Sequence, residues 1–134
     1  MYRKTYKGLI IGVTAYVVLI MALPFALPVL DADSCTRLTM CLTALGMAAL
    51  TYAIWRTEYV YWYNGVTFED AEKAGSERRK AYALSHFRLF GTFAAAVLLY
   101  SCAAWLLALP WWVDITLVGG GLIVCAFWSM KYKL

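Results

Sequence analysis

Read for hydropathy, the chain separates into four apolar stretches at about 8–30, 37–56, 88–109 and 113–130, with charged side chains confined to their ends. At 1.5 Å per helical residue, about 20 residues cross a hydrocarbon core of about 30 Å, so each stretch is long enough to span a bilayer. The pattern predicts an all-α fold: a four-helix transmembrane bundle, residues 1–134 as one integral membrane domain, built as two helical hairpins. A single long polar segment, 57–87, joins the hairpins as a helical connector.

Within the first span, Gly8 and Gly12 form a G-x-x-x-G that permits close helix approach. Pro24 and Pro28 each remove a backbone donor, which predicts a kink or an early end. Asp31, Asp33, Ser34 and Arg37 make a short polar link, with Asp33 or Ser34 expected to cap the second helix. Thr36, Thr39, Thr43 and Gly46 fall on one face of that helix. Small residues and self-satisfied hydroxyls suit a packing seam, and a weakly polar path lining is the alternative. Between the third and fourth spans, Pro110, Trp111, Trp112 and Asp114 predict a tight turn with an aromatic belt, Asp114 lying at the favourable end of the helix dipole. Gly119, Gly120 and Gly121 allow close packing of the last helix.

In the connector, no breaker interrupts 56–63, so the second helix is expected to run about two turns further, to a stop at Asn64-Gly65. Thr67-Phe68-Glu69-Asp70 resembles a capping box and opens a short helix that Gly75 ends. From Ser76 a helix should run unbroken into the third span, with Arg78, Tyr82, His86 and Phe90 on one face.

Composition explains the solvent. With 63% hydrophobic residues and a mean hydropathy of +0.66 over 134 residues, a soluble fold of this size has too little interior to hide the apolar surface. Net charge is +4 and the pI about 8.9, but placement accounts for the excess without nucleic acid. Of 12 Lys and Arg, 11 lie in the two termini or in the connector and its flanking residues Arg56 and Arg88, and only Arg37 lies at the opposite end of the spans. The positive-inside rule then puts both termini and the connector in the cytosol, in a bacterial inner (plasma) membrane.

The 4 cysteines form no C-x-x-C and no zinc spacing, and three lie in apolar stretches as small hydrophobes. No metal site, cofactor or catalytic residue is indicated. The midplanes lack the ionisable groups that ion-coupled pumps need. The remaining chemistry is Glu58, Arg78, Arg79 and His86 beside Tyr59 and Trp62, a set able to contact a ligand or partner if the helices on either side converge. The bland alternative is an interfacial aromatic belt in which Glu58 pairs with an arginine. The sequence therefore favours a non-enzymatic subunit or interaction partner in a membrane assembly, as a homo-oligomer or beside a larger membrane protein. Membrane lipid, with anionic headgroups near the 78–80 basic run, is the other expected contact. A small oligomeric channel or facilitator for a weakly polar solute is the alternative, and a lipid-directed enzyme using His86 and Glu58 ranks third.

Overall fold

The computed structural model describes residues 3–26, 29–63 and 65–134. All regular structure among them is helical, and four helices are long and apolar enough to cross a membrane. These are α1 (Lys7–Ala26), α2 (Ala32–Thr57), α3 (Phe68–Leu106) and α4 (Trp111–Ser129). The last contains one π turn, Ile115–Gly119.

Pro24 lies in the final turn of α1, which ends at Ala26, short of the expected 30. Pro28 and Asn64 lie outside the described residues. The second helix starts earlier than expected. Its cap is Asp31, whose Oδ1 accepts from the Ser34 amide at 2.7 Å, and not Asp33 or Ser34. Starting at Ala32 leaves the Asp33 carboxylate free of that duty, and it accepts the Trp111 amide at 3.0 Å, serving the opening turn of α4 instead. Arg37 is thereby carried inside α2 and buried.

At its far end α2 does not project to Tyr63. It stops at Thr57, where Glu58 takes a left-handed conformation (φ 62°) and its amide donates to the Ile54 carbonyl. That conformation costs a non-glycine residue about 1 kcal/mol or more. Two gains lie alongside it: Glu58 meets Arg79, and the following 3₁₀ turn, Val60–Trp62, folds inward to bury Val60 and Tyr61. Val60 and Tyr61 thereby enter a core with Ile54, Ala71, Tyr82 and Ala83.

The start of α3 follows its sequence signal. Thr67 Oγ1 accepts from the Asp70 amide at 3.1 Å, and Gly75 breaks the helix at φ 78°, ψ 165°. Ser76 resumes it, and the helix continues to Leu106. α2 packs chiefly on α3. A second core forms from Cys41, Ala44, Ala94, Val97 and Val118. Gly121 lets α4 approach so closely that a Cβ there would stand 2.6 Å from Phe93 Cε2. In contrast, α1 touches the rest sparsely, and Leu23 is its one buried residue among those described.

Candidate functional site

Two polar groups are built into the bundle, one at each end. The first joins α2, α3 and α4. Arg37 donates through Nε and Nη2 to Asp114 Oδ1 and Oδ2, at 3.3 and 3.1 Å, and through Nη2 to the Leu109 carbonyl at 2.6 Å. Tyr100 donates its hydroxyl to Asp114 Oδ1 at 2.9 Å. Both charged side chains are almost fully enclosed. A buried charge is tolerable only when paired and hydrogen-bonded, and both conditions hold here. Sequence reading placed Arg37 in a surface link and Asp114 on a helix dipole. It missed their pairing because the partners stand 77 residues apart; the one available signal was an arginine and an aspartate at the same end of neighbouring apolar stretches.

At the opposite end, Glu58 accepts from Ser76 Oγ at 2.8 Å, from Arg79 Nε and Nη2 at 3.2 and 3.0 Å, and pairs with Lys80 Nζ at 3.4 Å. Burial opposes the Glu58 charge. The hydrogen bonds from Ser76, Arg79 and Lys80 outweigh it and hold the carboxyl below its usual range. Arg79 Nη1 also donates to the buried Ala71 carbonyl at 2.9 Å, serving one of the last carbonyls of the short helix before Gly75. The node thus fixes the connector: the end of α2, the turn at Gly75 and the start of the long helix share one carboxylate.

Of the residues singled out from sequence, Glu58 and Arg79 come together, whereas Arg78 is exposed on the rim of a cavity. Tyr59 and Trp62 pack on each other with centroids 5.2 Å apart. Trp62 Nε1 donates to the Thr5 carbonyl at 2.9 Å, and its ring covers Gly8. With the Tyr61 hydroxyl, which accepts from the Thr5 amide at 2.8 Å, these rings strap the N-terminal segment to the connector. Thr39 and Thr43 donate to the carbonyls of Cys35 and Thr39 in their own helix. Thr43 also accepts the Tyr16 hydroxyl at 2.8 Å, and the Tyr16 ring lies on Gly46 at a distance that leaves no room for a Cβ. Thr36 is half-buried near the Arg37 end.

His86 lies apart from the carboxylate node, in a box of tyrosines. Its ring stacks on Tyr63 (centroids 4.2 Å, 22° between planes), with Tyr82 at 4.5 Å and Tyr132 at 5.1 Å. Its Nδ1 lies 3.0 Å from the Tyr82 carbonyl. A carbonyl only accepts, so Nδ1 carries the proton and Nε2 of the neutral ring is left as an acceptor. Among the described residues, Tyr63 Oη is buried without a hydrogen-bond partner. Burial, reinforced by Tyr82, pushes its phenol above the usual range, which keeps it a donor.

These rings line a half-open cavity of about 1030 Å³ between α2, α3 and α4, at the upper end of the range for small-molecule sites. The helical spacing put Tyr82 on one face with His86, but the stacking of Tyr63 and the arrival of Tyr132 from beyond α4 had no signal in the pattern. The chain matches no protein-family model, no curated protein and no solved structure.

Proposed function

We propose that the chain is a non-catalytic multi-pass membrane protein that acts as a subunit or interaction partner in a membrane assembly. In this reading two helical hairpins are joined by a helical connector, with both termini and the connector in the cytosol of a bacterial cell. The observation that carries it is the state of α1: an apolar helix with one buried side chain among those described, Leu23, and a Gly12 whose face is open. Lipid tails cover such a surface as readily as protein does, so packing and close backbone approach are what make a helix partner favourable. Close approach is available at Gly12, where nothing stands within 4 Å of a Cβ, whereas Gly8 is already covered by Trp62. The alternative of a conduction path along the Thr face loses support, because Tyr16 occupies Thr43 and Gly46.

Native mass spectrometry of the full chain released from lipid nanodiscs should find a homo-oligomer or a stoichiometric membrane partner; a lone monomer across protein concentrations would sink the proposal. Orientation has its own check. An impermeant maleimide applied to intact cells should label Cys35, and labelling only after permeabilisation would invert the topology.

A further inference from the structure

The cavity beside His86 changes chemistry along its length. Toward the middle of the apolar stretches its walls are Met47 and Leu50 of α2, Phe90 of α3, and Ile123 and Phe127 of α4. Ile123 and Phe127 are also exposed on the outer surface of α4, so this wall is continuous with apolar surface. Toward the connector the charged side chains of the lining are three cations, Lys73, Arg78 and Lys133, against one carboxylate, Asp70. Asp70 already accepts the Thr67 hydroxyl at 2.6 Å. No carboxylate among the described residues pairs with the three cations. A smaller hollow of about 380 Å³ shares Arg78, Tyr132 and Lys133 with the large one.

Tyr63 also lines this cavity and brings the unmet hydrogen bond of its buried hydroxyl. A buried donor without an acceptor costs free energy that an incoming oxygen recovers. A ligand that meets the three cations, the Tyr63 hydroxyl and the apolar wall together has an anionic head, an oxygen for that hydroxyl and a long apolar tail for α4. We propose that the cavity binds one anionic phospholipid, its phosphate held by Arg78, Lys133, Lys73 and the Tyr63 hydroxyl, and an acyl chain lying against Phe90, Ile123 and Phe127. A zwitterionic head brings its own cation among three unpaired ones, and a small free anion leaves the apolar wall empty. The proposal stands apart from the assembly reading, since a monomer contains the whole cavity.

The test uses the full chain in phosphatidylcholine nanodiscs with phosphatidylglycerol carrying a photoreactive group on one acyl chain. Labelling should saturate, map to the α4 peptide containing Ile123 and Phe127, and exceed labelling by the equivalent phosphatidylcholine by about tenfold, the scale of one charge-assisted contact. Arg78→Gln combined with Lys133→Gln should weaken it by about tenfold or more, while Arg3→Gln with Lys4→Gln leaves it unchanged. Tyr63→Phe should reduce labelling several-fold yet leave the unfolding midpoint of lipid-free protein unchanged or raised, an outcome a purely structural tyrosine would not produce. Equal labelling by both lipids, or full labelling of the Arg78/Lys133 variant, would overturn the site. Competition by glycerol phosphate as effective as that by the lipid would overturn it too, reducing it to a simple anion site.

Discussion

Arg37 and Asp114 show how one residue pair fixes the geometry of three helices. The guanidinium reaches both carboxylate oxygens and the Leu109 carbonyl, while Tyr100 completes the carboxylate. Removing one partner of a buried pair strands the other charge, so Arg37→Ala or Asp114→Ala should each cost about 3–5 kcal/mol in denaturant unfolding in detergent. The double change Arg37→Met with Asp114→Leu should cost less than either single change, because no charge is left buried, although Tyr100 and the Leu109 carbonyl lose a partner. The Glu58 node predicts a pH effect. A carboxyl whose folded value lies below its unfolded one stabilises the fold above the unfolded value and loses that contribution as pH falls through the folded value. Amide exchange across 58–79, corrected for intrinsic rates, should therefore accelerate between about pH 5 and pH 3. Glu58→Gln should exchange fast at both ends of that range; an unchanged pH step in the variant would assign the effect to another group.

At the scale of elements, the glycines separate by what each permits. Gly75 stands at φ 78°, ψ 165° with open space around its missing Cβ. The whole cost of Gly75→Ala is thus backbone strain, about 1–3 kcal/mol, and it should appear as loss of protection in the connector while the apolar spans stay unchanged. Gly46 is the opposite case: helical in backbone, but with Tyr16 Cε2 2.8 Å from a Cβ placed there. Gly46→Ala should detach Tyr16 from Thr43 and loosen α1, read as faster exchange of α1 amides in nanodiscs. Gly12 is helical and open, so Gly12→Ala should leave monomer stability the same or raise it by up to about 1 kcal/mol.

For the molecule as a whole, the contrast is between α2, α3 and α4, clasped together at one end by Arg37 and Asp114 with α2 and α3 also joined at the other by Glu58 and Arg79, and α1, held by Tyr16 and the Thr5 strap. That asymmetry motivates the assembly reading. Gly12→Ile should lower the oligomer fraction in native mass spectra while monomer unfolding is unaffected; a loss of stability without a change in association would place the glycine in the fold rather than in an interface.

What the sequence determines by itself is whatever depends on local pattern. Four apolar stretches of membrane-spanning length, the Thr67 cap and the break at Gly75 are legible because their causes lie within a few residues: solvent transfer, one hydroxyl and one missing Cβ. Tertiary structure decided the rest. The second helix ends at Thr57 because Arg79, 21 residues on, binds Glu58 and because Val60 and Tyr61 gain a core. Arg37 is buried because Asp114 arrives from another helix. The box around His86 exists because Tyr63, Tyr82 and Tyr132 converge from three segments. Charges and rings find partners by packing across long stretches of chain, and no local periodicity records which partner they will meet.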